Sequence, residues 1–250
     1  MRYAQAMIFS PMMLALGLGL AAAAANVLGG LFISHREWSR QYLKAFLALG
    51  AGFMLAAAIL LILPESEALI GGRAYYVALA GYFLVHFFEH TLAPHFHFGE
   101  ETHIEQLSPR HAGISALLGL SIHTFFDGVA IASGILVSGW IGGVIFLAIA
   151  LHKIPEGFTV ASIMMASGRG RRAALLASVW LGAATVAGVL LMGLLQTQVG
   201  YAFSFSAGVT LYVAATDLIP EVNREPDARM AFLIFVGVGL MLLLAKLFRG

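Results

Sequence analysis

Residues 111–166 read HAGISALLGLSIHTFFDGVAIASGILVSGWIGGVIFLAIALHKIPEGFTVASIMMA. Two apolar runs, 111–137 and 139–166, are joined by little more than the Ser138-Gly139-Trp140 turn. Crossing roughly 30 Å of hydrocarbon takes about 20 apolar residues at about 1.5 Å each, so either run can span a bilayer. A turn this short makes them antiparallel neighbours. Each run is interrupted by a histidine and, four residues on, a carboxylate: His123 with Asp127, then His152 with Glu156. Four residues is about one helical turn, which puts both members of each pair on one face.

Working outward, six further apolar runs stand at about 7–33, 43–64, 74–93, 172–195, 199–220 and 229–248. The chain of 250 residues is 60% hydrophobic and 11% charged. Soluble domains carry roughly 45–50% apolar and about 25% charged residues, so lipid is the expected solvent. The sequence therefore predicts an all-α polytopic membrane protein, one transmembrane domain over 1–250 with eight spans. The first run, with Arg2 ahead of it and Ala21 to Ala25 inside, also fits a cleaved signal peptide; its unbroken continuation to Ile33 favours a retained helix. A net charge of +1 points to no nucleic-acid partner. Without cysteine, any metal must be held by His, Asp, Glu or amide oxygen.

Basic residues set the expected orientation. Nine of the 14 Lys and Arg residues fall in one set of connections: Arg36, Arg40, Lys44, Arg110, Arg169, Arg171, Arg172, Arg224 and Arg229. Four fall in the other set: Arg2, Arg73, Lys246 and Arg249. Both termini are thus expected outside, with the longest loop, about 94–110, in the cytoplasm. That loop carries His95, His97, Glu100, Glu101, His103 and Glu105, either a loose metal-binding segment or a solvated connector.

A polar residue in hydrocarbon costs about 2.5–3.5 kcal/mol on insertion scales, so those in spans four and five should have partners and a function. Both histidines lie near the middle of their runs. Two imidazoles and two carboxylates facing one point suit zinc or a similar divalent ion. The alternative is a pair of buried ion pairs that merely fasten helices. Pro155, which lacks an amide hydrogen, should loosen span five beside its ligands.

Internal echoes are also present. At an offset of 29, His123, Gly128, Ala132 and Ser133 match His152, Gly157, Ala161 and Ser162. Leu63-Pro64-Glu65 resembles Ile219-Pro220-Glu221. Equivalent segments on opposite faces are the mark of an inverted repeat, here three spans, two central spans and three spans.

On these residues, and on Tyr212-Val-Ala-Ala-Thr-Asp217-Leu-Ile-Pro-Glu221, the chain resembles the ZIP (Zrt/Irt-like) family of divalent metal transporters over essentially its whole length. The resemblance implies transport towards the cytosol of zinc as substrate, with iron, manganese or cadmium as alternatives. It implies alternating access, a homodimer and a prokaryotic member of the branch reading His-Lys in span five; the compact size points to a prokaryotic inner membrane. It also implies that His123, Asp127, His152 and Glu156 are the first-site ligands. Family members with a second, adjacent site use Asn and a carboxylate where this chain has Thr124 and Lys153. No acidic residue stands between Gly157 and Thr216 to supply their span-six glutamate. A lysine beside the carboxylates repels a second dication, so one metal per site is expected.

His86-Phe-Phe-Glu89-His90 has the spacing of a zinc-protease motif, without an identifiable third ligand. With Glu65, Asp217 and Glu221, these residues are candidates for the ion pathway. Two rival functions use the same buried groups: an intramembrane metallohydrolase, and a proton or ion pore with the carboxylates as relay.

Overall fold

A computed structural model describes residues 2–35, 40–91, 109–224 and 227–249. It is all-helical there, with eight rods. Span one is Arg2–His35. Span two runs from Arg40–Ala57 through a π-turn, Ala58–Ile62, into Leu63–Ile70. Span three is Arg73–Thr91, span four Pro109–Val137, span five Gly139–Ala166 and span six Gly170–Leu194. Span seven comprises Val199–Tyr212, a π-turn at Val213–Leu218 and Ile219–Val222; span eight is Ala228–Arg249. Seven of these rods contain a stretch long and apolar enough to cross a membrane. Span three carries His86, Glu89 and His90 in its last turns and falls outside that group.

Two of the expected boundaries shift. Pro64 and Pro220 do not end their helices, which continue to Ile70 and Val222. Each proline follows a π-turn, closed by Leu63 N–H to Ala58 O and by Ile219 N–H to Ala214 O. A proline ring clashes with the carbonyl four residues back, and a locally wider turn lets the helix absorb it. Between spans four and five the turn is as short as expected. Ser138 is extended, and its hydroxyl accepts the Ile141 amide at 3.2 Å, capping span five at once. Gly71, at φ 66, turns span two into span three in a conformation that side chains disfavour.

The rods sort into two bundles. Spans one, four, five and six pack together; spans two, three, seven and eight form the other group, and the two meet where span two touches span five and span four touches span seven. Exchanging one with six, two with seven, three with eight and four with five maps these contacts onto each other. One–five becomes six–four, two–eight becomes seven–three, and two–five becomes seven–four.

Glycines show the same relation at atomic detail. A methyl group on Gly52 would overlap Ile234 O, and one on Gly208 would overlap Ala78 O. Gly237 likewise abuts Leu49 O, and Gly81 abuts Phe205 O. One offset of 156 residues carries each member of this set to its counterpart, as it carries Pro64 to Pro220 and Glu65 to Glu221. Around the centre, Gly128 lies against Thr185 O and Gly188 against Phe125 O; their counterparts are Gly157 against Asn26 O and Gly29 against Ile154 O. Lipid tails are as apolar as leucine, so helix association depends on close van der Waals fit, and glycine lets backbones touch. The fold is a three-plus-two-plus-three repeat welded by paired glycines.

Candidate metal site

Spans four and five, related by the two-fold exchange, bring His123, Asp127, His152 and Glu156 to one place. A ligand atom from each lies within 4.8 Å of the others, and all four side chains are buried. His123 Nε2 is 3.4 Å from Asp127 Oδ2 and 3.8 Å from Glu156 Oε2. His152 Nε2 is 3.3 Å and 3.8 Å from the same two oxygens. A tetrahedral ion with bonds of about 2.0–2.2 Å separates its ligands by roughly 3.3–3.6 Å. The four imidazole–carboxylate distances are within a few tenths of an ångström of that spacing.

Hydrogen bonding points the same way. His152 Nδ1 lies 3.2 Å from Ala148 O, an acceptor, so Nδ1 carries a proton and, in the neutral ring, Nε2 keeps a lone pair. That lone pair faces carboxylate oxygen, another acceptor. His123 Nε2 is buried and makes no hydrogen bond. A cation resolves both mismatches. Pro155 lies inside span five, which remains helical through it.

Lys153 enters the same cluster. Its Nζ is 2.7 Å from Asp127 Oδ2 and 2.6 Å from Glu156 Oε2, and the side chain is fully buried. Thr124 donates its hydroxyl to Glu156 Oε1 and lies 3.4 Å from Nζ. The lysine thus reaches both carboxylates rather than one of them, and it does not turn away to a backbone carbonyl.

The pathway candidates are more dispersed. Glu89, buried on span three, accepts a 2.9 Å hydrogen bond from Tyr212 of span seven. Asp217 is buried, and its Oδ1 has no partner. Tyr82 and Thr216 meet at 3.4 Å nearby. His86 and His90 stack with ring centroids 4.1 Å apart, and His90 Nδ1 bonds His86 O at 2.9 Å. Glu221 pairs with Arg224 at 3.1 Å, while Glu65 is half-buried on span two. Among the described residues, no second group of three or more ligating side chains accompanies the central four. The histidine-bearing loop lies outside the described residues. Tyr212 had no assigned role in the sequence reading: its partner is 123 residues away, and no local pattern marks such a pair. The amide of Asn26 in span one is buried without a hydrogen-bond partner, and a lone Asn in an apolar run carries no pattern that marks it.

Residues 97–245 match the family model described as ZIP Zinc transporter. The chain belongs to the ZIP family. Zinc transporter ZIP9-A of Xenopus laevis is 25% identical over 269 residues, covering 86% of this chain and 88% of that protein. Zinc transporter ZIP9 of Micropogonias undulatus is 35% identical over 122 residues, or 44% of this chain, and ZIP9 of Macaca fascicularis is 34% identical over 128 residues. Those two matches span 39% and 54% of the respective relatives, so the chain covers about half or less of their length. These ZIP relatives are animal proteins.

Proposed function

We propose that this ZIP protein carries a divalent transition-metal ion, zinc first and iron, manganese or cadmium as alternatives, across the membrane towards the cytosol. The observation that carries the reading is the convergence of His123, Asp127, His152 and Glu156 at ligand spacing, midway along two paired helices. Transport proceeds by alternating access, with spans one, four, five and six shifting together against the rest. Glu65 on one side, and Glu89, His86, His90, Asp217 and Glu221 on the other, line the approach and exit. The excess of basic residues in one set of connections supports external termini and a cytoplasmic loop. Membership in a transporter family favours flux over the metallohydrolase. Zinc uptake into proteoliposomes containing the purified protein is the direct test; a folded protein that moves no divalent ion overturns the proposal.

Lys153 supports a single ion per site, because its ammonium stands against both carboxylates. Lys153→Asp should raise bound zinc from one to two equivalents per chain in equilibrium dialysis. An unchanged ratio in a well-folded variant refutes this role.

The loop with His95, His97 and His103 lies apart in sequence from His123, Asp127, His152 and Glu156. Deleting 95–103 should alter half-saturation by less than about tenfold, that is by less than about 1.4 kcal/mol, and leave maximal uptake within about twofold. Complete inactivity of a folded deletion mutant would place the loop in the transport path instead.

A further inference from the structure

We propose that Lys153 is a built-in counter-cation that lets the site cross back unloaded, making the protein a carrier that completes its cycle without a co-ion. The inference rests on the transport reading above and goes beyond it, from binding to the return step.

The argument is one of charge. Among the described residues of the bundle formed by spans one, four, five and six, the buried charged side chains are Asp127, Lys153 and Glu156. The other buried acids, Glu89 and Asp217, belong to spans three and seven of the opposite bundle. With neutral imidazoles, the two carboxylates and the ammonium sum to −1 without a metal and +1 with a divalent ion. Removing the ammonium would make these totals −2 and 0. The solvation penalty of moving a compact charge through a low-dielectric medium grows with the square of the charge. A −2 centre therefore costs about four times as much as a −1 centre to carry through that medium. Lysine makes the loaded and unloaded centres equal in magnitude, so neither stroke bears the whole penalty.

The geometry suits this role. Nζ contacts Asp127 Oδ2 at 2.7 Å and Glu156 Oε2 at 2.6 Å, the same oxygens that face the imidazoles. An arriving ion competes for those oxygens directly. Thr124 Oγ1, 3.4 Å away, gives the ammonium a neighbouring acceptor when its hold on them weakens. Lys153 lies on span five with His152 and Glu156, so it travels with the ligands rather than waiting at a gate.

The test compares two fluxes in proteoliposomes. Net influx into zinc-free vesicles requires the unloaded return; exchange of radioactive zinc against internal zinc does not. In Lys153→Gln and Lys153→Met, the ratio of net influx to exchange should fall about tenfold or more, since each ~1.4 kcal/mol added to the return barrier is a factor of about ten. Lys153→Arg should restore much of that ratio. A Gln variant that binds zinc yet keeps the wild-type ratio overturns the proposal. So does a parallel loss of both fluxes, which would make Lys153 a positioning residue only. The wild type offers a measurement that needs no variant. Its loaded centre carries +1, so zinc exchange should respond to an imposed potassium–valinomycin potential; exchange indifferent to potential overturns the inference. If the wild type shows neither flux, it is the transport reading that fails.

Discussion

Replacing His152 by alanine should reduce zinc uptake by more than about a hundredfold while the protein still inserts and folds. Substituting groups that merely orient a ligand costs roughly 10–100-fold in metal affinity, and His152 is placed to be a ligand itself. Its Nδ1 is anchored on Ala148 O, and its Nε2 faces Asp127 Oδ2 at 3.3 Å. No charge is lost with the imidazole, so Lys153 keeps both carboxylates and the helix pair keeps its ion bridge. Asp127→Ala should also abolish uptake, with a second effect: the buried ammonium loses one of two partners. Stripping a buried ion of its partner altogether costs about 3–5 kcal/mol, so a partial loss here should lower thermal stability measurably. Uptake in proteoliposomes, with a thermal melt in detergent, separates the outcomes. Near-wild-type flux in either variant removes that residue from the site.

A comparably large effect is expected from a single methyl group at Gly157. Its Cβ would overlap the backbone oxygen of Asn26, and backbone cannot rotate aside as a side chain can. Overpacking typically costs about 1–3 kcal/mol, and this clash falls one residue after Glu156. Gly157→Ala should therefore lower the melting temperature and cut uptake by about tenfold or more, because ligands shifted by even about 1 Å lose their common focus. Gly128→Ala, against Thr185 O, should behave alike. Gly143→Ala is the control: its methyl group meets nothing within 4 Å, and it should be neutral. A Gly157 variant as stable and active as Gly143→Ala would mean that the spans are not seated backbone to backbone.

The sequence exposed what is local. Apolar run length located the spans, and the four-residue separation in spans four and five put each imidazole and carboxylate on one face. The echo of Pro64-Glu65 in Pro220-Glu221 pointed to the repeat. What stayed hidden depends on distance along the chain. The partner of Glu89 is Tyr212, and no periodicity links the two. The glycines were visible as letters, but not the carbonyls they seat against. The π-turns at Ala58–Ile62 and Val213–Leu218 have no composition of their own, so the helices continue past prolines that read as their ends. For Lys153 the sequence put a lysine next to the ligand residues, and only the folded arrangement places its ammonium against both acids.

The glycine welds also bear on how cargo would be handled. They join four to six, five to one, two to eight and three to seven, always inside a bundle. Where span two meets span five, a methyl group on Gly50 would make only ordinary contacts with Leu151 and His152, and where span four meets span seven, Ser206 Oγ lies 3.5 Å from Phe126 O and the Phe126 and Phe205 rings pack with centroids 4.9 Å apart. On the proposed alternating access these are the joints that would be remade, while the welds would hold each bundle together. The four proposed ligands all lie on one side of that division, so in such a cycle their grip would not need to be broken and rebuilt en route. Selection among metals would then happen once, at loading, and the chosen ion would be ferried rather than handed from one set of donors to the next.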